Sequence, residues 1–287
     1  LIYFLFNCFQ MKKMKLIDLK NYCIKALQKA KIENPELNAQ MILSHYTKIK
    51  RLKLPLQADF LISEETKHLI EQAVHRRTKH EPIQYILGET EFYGYKLLVN
   101  NSVLIPRPET ELLVEKITKK EKDPQNILEI GTGSGAITIA LKKNLKKVNL
   151  SATDFSKQAL DIAIQNAEIN KVKIDFFISD IFSKVKGKFD LIVSNPPYIS
   201  QQDYKDLPVE VKDFEPRAAL FAEKNGLYFY NQIIRNAKKH LTKNGKLYFE
   251  IGYDQAEEIS NIAKENGFGE VEVLQDLNNY DRIMRIE

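Results

Sequence analysis

The sequence predicts an α/β fold: a doubly wound sheet, preceded by a small helical domain and joined to it by a β-hairpin. Three observations predict it. From about Asn126 onward, short β-branched and aromatic runs alternate with helix-patterned segments, the signature of a sheet covered by helices. The glycine-rich stretch GTGSG, residues 131–135, separates the first of those runs from a helical pattern. Finally, no glycine occurs before Gly88, and residues 14 to about 85 carry helical spacing.

In chain order, residues 1–13 are expected to be an N-terminal extension. Their apolar start, LIYFLFNCFQ, opens on leucine, is too short to span a bilayer and lacks a basic leader. Residues 14–82 form the helical domain. Leu16, Leu19, Ile24 and Leu27 recur at near-helical spacing, and Asn34-Pro35 offers an N-cap with proline at the first helical position. Ser63, with Glu64 and Glu65 behind it, opens a further helix that Arg76, Arg77 and Lys79 close.

Residues 83–108 form the hairpin linker, where aromatic and β-branched runs are broken by Gly88, Gly94 and Asn100-Asn101. The stretch IPRPET, residues 105–110, is a rigid turn into a helix through Leu112, Leu113 and Ile117. Residues 109–287 form the α/β domain. Its strand candidates are 126–130, 148–154, 174–180, 189–195, 246–252, 271–276 and 282–287.

Composition narrows the partners only weakly. The 287 residues are 44% apolar, enough for a sizeable core. The net charge of +5 comes largely from scattered lysines such as Lys142, Lys143, Lys146 and Lys147, so it carries little weight for nucleic acid. Cys8 and Cys23 form no CxxC pair, which argues against a disulfide framework or a cysteine zinc site and suits a reducing, cytoplasmic setting. His68 and His75 read as a solvated helix surface, and no metal site is expected.

The chemistry concentrates at the predicted strand ends. Gly131, Thr132, Gly133, Ser134 and Gly135 make a tight turn whose backbone a ligand can approach. Asp154 closes the next strand about 20 residues on, where a carboxylate accepts ribose hydroxyls. Asp180 and Ile181 close the third, beside the expected place of an adenine ring. The loop alone also satisfies a dinucleotide-dehydrogenase fingerprint.

The fourth strand, LIVSNPPY at residues 191–198, ends in an amide, two prolines and a phenol. A Pro-Pro pair by itself merely ends a strand. Here it also suits a methyltransferase acting on a planar nitrogen. Such a nitrogen is a poor nucleophile because its lone pair is delocalised. Two acceptors aimed at its N–H bonds would hold it ready for attack. Asn195 supplies a side-chain carbonyl and Pro196 a backbone carbonyl; Tyr198 can stack on the flat group. S-adenosylmethionine would present its methyl in line, with no metal or covalent intermediate.

With these residues in place, the chain resembles the peptide chain release factor N5-glutamine methyltransferases, a Rossmann-like family, from about Leu16 to the C-terminus. Glu129 with GTGSG, Asp154 and NPPY match its motifs, and Ile181 falls at a cofactor-contact position. IPRPET and FEPRAAL, residues 214–220, resemble its flanking segments. The resemblance implies Gly131, Thr132, Gly133, Ser134, Gly135, Asp154, Ile181 and Asn195 at the cofactor. It implies Asn195, Pro196, Pro197 and Tyr198 at the substrate, with Asn195, Pro196 and Tyr198 catalytic. It further implies the glutamine of a GGQ motif as acceptor and release factors as partners that contact the N-terminal helical region. A monomer with no membrane and no direct nucleic-acid requirement is expected. NPPY is shared with DNA and RNA adenine N6-methyltransferases; the lack of a long insertion after it counts against them. Glu215 and Arg217 read as a surface ion pair.

Overall fold

The computed structural model of the chain describes residues 14–287; the expected extension, residues 1–13 with Cys8, lies outside the described residues. The chain divides into two compact units between Leu87 and Gly88.

The first unit is helical. Strand β1 (Met14–Lys15) leads into α1 (Leu16–Lys29) and α2 (Pro35–Thr47). A 3₁₀ turn (Arg51–Gln57) and β2 (Leu61–Ile62), antiparallel to β1, precede α3 (Glu64–Arg77) and α4 (Ile83–Leu87). Leu16, Leu19, Cys23 and Leu27 are the buried stripe of α1; Ile24, counted with them in the sequence pattern, is only half-buried. They pack with Ile42, Leu43, Ile70 and Val74 into one core. Burial among these groups pushes the Cys23 thiol up to about 12, which leaves it a packing residue. His68 and His75 are exposed on α3.

Ser63 caps α3 as expected, its hydroxyl accepting from the Thr66 N–H at 3.2 Å. Asn34 does not cap α2 through its side chain: it sits at φ +47°, a left-handed conformation, and its amide makes no capping hydrogen bond. Helix α4 also differs from expectation, because residues 83–87, read as the start of the hairpin segment, complete the helical unit.

The second unit opens with the hairpin of β3 (Glu89–Phe92) and β4 (Tyr95–Leu98), closed by a two-residue turn. It is held to the body of its unit through Asn166. That side chain accepts from the Leu98 N–H at 2.6 Å and donates to the carbonyls of Leu98 and Ser134 at 2.9 Å each. Helix α5 (Pro108–Lys120) follows. Then come β5 (Asn126–Ile130), α6 (Ala136–Asn144), β6 (Asn149–Asp154), α7 (Lys157–Ile169), β7 (Asp175–Ile178) and β8 (Phe189–Ser194). Two short helices, α8 (Gln201–Lys205) and α9 (Val209–Lys212), and a 3₁₀ turn (Arg217–Ala219) lead to α10 (Tyr228–Ala237). The chain continues through β9 (Leu241–Glu250), α11 (Ala256–Glu265), β10 (Val271–Gln275) and β11 (Asp281–Ile286).

The seven-stranded sheet has the order β10-β11-β9-β8-β5-β6-β7; only β11 is antiparallel to both neighbours. Alternation along the strands fills a core on each face. Ile127, Leu191 and Val193 meet α5, α6 and the hairpin; Leu128, Ile130 and Ile192 meet α10 and α11. Strand order reverses between β5 and β8, and the crevice outside that switch point is where such sheets take ligands. Register brings the ends level: Ile130 pairs with Ser194, and Ser194 with Phe249. Gly131, Asn195 and Glu250 therefore leave neighbouring strands side by side.

Candidate active site

A cavity opens over those strand ends. It is lined by residues 131–134 after β5, Asp154, Phe155 and Ser156 after β6, Ser179, Asp180 and Ile181 after β7, and residues 194–197 at β8. Residues 102–104 with Pro106, Arg107 and Thr110 wall one side, and Pro216, Ala218 and Ala219 another.

Each wall has a local cause. The glycine loop is tied down by the N–H groups of Gly131 and Thr132, which share the Thr153 carbonyl at 2.9 Å. Glu129 anchors the following helix: its Oε2 accepts from the Thr132 hydroxyl at 2.7 Å and the Thr138 N–H at 3.1 Å. Burial pushes the Glu129 carboxyl up to about 8 despite those two donors, and the Asp154 charge adds to the rise. Ile181 lines the cavity at φ +47°, an unusual conformation for a β-branched residue, with its carbonyl held by the Ser179 hydroxyl at 3.0 Å.

These residues fit an adenosine-bearing cofactor. A Cβ built at Gly131 or Gly133 meets nothing within 4 Å, so the backbone there stays open to a ligand. Asp154 holds its place by accepting from the Gly133 N–H through Oδ2 and the Ser156 N–H through Oδ1, both at 2.9 Å. Each carboxylate oxygen keeps a lone pair for a ribose hydroxyl. Burial raises the Asp154 pKa above the ordinary range, and its backbone donors act against that rise.

Two expected site residues are not part of the cavity lining. Gly135 does not line the cavity. At φ +80°, a Cβ there would meet the Ala163 Cβ at 3.2 Å, so glycine serves the close packing of the loop on α7. Tyr198, expected to stack on a substrate group, lies outside the cavity lining and packs against the core beneath β8. Its hydroxyl points at Glu250 Oε1, 3.4 Å away, and burial next to that carboxylate raises its pKa. The surface pair expected of Glu215 and Arg217 is also corrected. Buried Glu215 accepts from the Ile105 N–H at 3.2 Å and pairs with Arg107, joining the IPRPET and FEPRAAL segments. Arg217 lies over the Phe221 ring instead.

The structure adds residues that the motifs did not reveal. Phe155, 62% exposed, offers an open aromatic face in the cavity wall. Gln255 latches the NPPY loop, its Nε2 donating to the Tyr198 carbonyl at 3.1 Å. Gly226 (φ +86°) passes so close that a Cβ would lie 2.1 Å from that same carbonyl. Thr110 and Glu250 are buried beside Asn195. A carboxylate ending the apolar run KLYFE was the one visible signal for Glu250.

Comparison with known proteins places the chain in a family. Residues 108–213 match the Methyltransferase small domain family and residues 18–88 the PrmC N-terminal domain family. The chain is 40% identical over 278 residues to a release factor glutamine methyltransferase of Fusobacterium nucleatum, covering 95% of this chain and 78% of that one. The chain belongs to the release factor glutamine methyltransferase family. Family members of that name from Thermodesulfovibrio yellowstonii (40% identical; 87% of this chain, 91% of the other) and Lactococcus lactis (44%; 79% and 84%) agree. Among solved structures, the hMettl16 catalytic domain shares the fold with a TM-score of 0.55 at 16% identity, over 78% of this chain and 82% of that one. A methyltransferase from Pyrococcus furiosus does so with a TM-score of 0.53 at 19% identity, over 68% and 89%.

Proposed function

We propose that this chain methylates the side-chain amide nitrogen N5 of a glutamine in peptide chain release factors, at a GGQ motif, using S-adenosylmethionine. The observation that supports it best is the placement of Asn195 and Pro196 in one cavity with the glycine loop and Asp154. S-adenosylmethionine supplies an electrophilic methyl group on a sulfonium. Asp154 and residues 131–134 hold its adenosine and amino-acid parts, with Ile181 and Phe155 as apolar walls. The Asn195 side-chain carbonyl and the Pro196 backbone carbonyl accept the two amide N–H groups of the glutamine. That arrangement fixes the nitrogen and favours the rehybridisation attack requires. Pro196 and Pro197 carry no N–H to compete, and their fixed φ keeps the carbonyls in place. The helical unit, residues 14–87, is the proposed release-factor contact region, and the enzyme acts as a cytoplasmic monomer.

The test uses labelled S-adenosylmethionine with a purified release factor, the same factor with its GGQ glutamine changed to alanine, and duplex DNA. Label should enter only the first. Label on DNA and none on the factor would sink this reading in favour of an adenine methyltransferase. Asn195→Ala should cut turnover on the order of 100-fold while cofactor affinity changes much less.

A further inference from the structure

Asn195 can serve as an acceptor only if its amide faces the right way, and an amide is nearly symmetric in shape. Something must therefore distinguish its oxygen from its nitrogen. Two buried residues, Thr110 on the first turn of α5 at the cavity wall and Glu250 at the end of β9, touch the NPPY loop. They form a chain of contacts: Asn195 Nδ2 lies 3.3 Å from Thr110 Oγ1, and Thr110 Oγ1 lies 2.6 Å from Glu250 Oε2. Glu250 is held in turn, its backbone carbonyl accepting from the Tyr230 hydroxyl at 2.8 Å.

With Glu250 ionised, the polarity of that chain is fixed: Thr110 donates to Glu250 and accepts from Asn195. An ionised carboxylate only accepts, and a threonine hydroxyl has one proton. Thr110 gives that proton to Glu250 and can then only accept from Asn195. The group of Asn195 facing Thr110 must be its NH₂, which leaves the carbonyl oxygen on the opposite side. Among the described residues nothing donates to that oxygen. The same carboxylate receives the Tyr198 hydroxyl, so one residue braces two members of the NPPY loop.

We infer that Glu250 and Thr110 are positioning residues that set the amide orientation of Asn195, presenting its carbonyl oxygen to the acceptor nitrogen. The inference rests on the proposed role of Asn195 as a substrate acceptor. Burial raises the Glu250 pKa, while the Thr110 hydroxyl, the Arg282 charge and the Tyr198 hydroxyl pull it down. An amide at position 250 would undo the polarity without changing shape. Gln could donate to Thr110, freeing the threonine proton to bond the Asn195 oxygen and turn the acceptor away from the substrate.

The experiment compares the full-length enzyme with Glu250→Gln, Thr110→Val, Thr110→Ser and Asn195→Ala. It reads kcat at saturating cofactor and release factor, cofactor affinity by calorimetry, and the thermal midpoint. Glu250→Gln and Thr110→Val should lower kcat on the order of 10- to 100-fold, with cofactor affinity within about threefold. Thr110→Ser, which keeps the hydroxyl, should restore most of the rate. Wild-type kcat in Glu250→Gln and Thr110→Val, with Asn195→Ala inactive, would overturn the inference and leave the clamp standing. An active Asn195→Ala would overturn the clamp itself and the inference with it. Parallel loss of cofactor affinity and kcat, unrescued by serine, would make the pair merely structural and also overturn it. If Glu250→Gln fails to fold, the contrast between valine and serine at position 110 decides alone.

Discussion

Glu129, one residue before the end of β5, has both of its hydrogen-bond donors on one oxygen, in a setting that makes its charge expensive. Its folded pKa of about 8 lies above the ordinary 4.5, so the native state binds the proton more tightly than the unfolded chain. The contribution to stability is greatest below about 4.5. It declines as pH rises through the window from 4.5 to 8, and is constant above that. The thermal midpoint of the cofactor-free wild type, minus that of Glu129→Gln, should therefore fall between pH 5 and pH 8. A difference that stays constant over that range would place Glu129 among ordinary surface-like carboxylates. At this scale the sequence was legible for residues that stand at strand ends, as Asp154 and Asn195 do, and both line the cavity. It was silent for Thr110 and Gln255, whose roles depend on neighbours 85 and 57 positions away.

At the scale of elements, caps show how local rules meet local geometry. The Ser63 hydroxyl closes an orphan N–H of α3, while Asn34 keeps its side chain out of α2 and contributes through a left-handed backbone. Ser63→Ala should cost about 1 kcal/mol, whereas Asn34→Gly should shift stability by less than about 0.5 kcal/mol, because glycine adopts that backbone freely. Chemical denaturation of the two variants checks both values; equal losses would contradict the structural difference between the caps. Strand periodicity predicted every strand of the large sheet, but β9 begins at Leu241, five residues before the expected run. Polar Thr242, Lys243 and Asn244 obscured that start: Leu241 pairs with Phe189 and Lys246 with Leu191, so the register skips the residues between them.

At the scale of the molecule, two units with separate cores divide the proposed work. The 3₁₀ turn of the helical unit leaves Leu52 and Leu56 more than four-fifths exposed, interleaved with Arg51 and Lys53. Exposed leucines paired in this way suit a protein partner better than water. A Leu52→Ser/Leu56→Ser enzyme should show a raised KM for the release factor, by about tenfold. Its kcat and cofactor affinity should match the wild type. Unchanged KM would move the release-factor contact off this turn. Among the described residues no helix is long and apolar enough to cross a membrane.

The sequence by itself determined the alternation of strands and helices, the glycine loop, the acid that ends β6 and the NPPY strand end. Each of these is written in residues adjacent along the chain, and hydrophobic period and turn chemistry act over such distances. Only the tertiary structure decided that Gly135 packs on α7, that Tyr198 braces the loop from below, and that Glu215 pairs with Arg107. It also decided that Thr110 and Glu250 form a chain of contacts with Asn195. Parallel strands that lie far apart in sequence bring those groups together, and the register between strands has no local signal. Direction and contact at the site are consequences of packing the whole sheet.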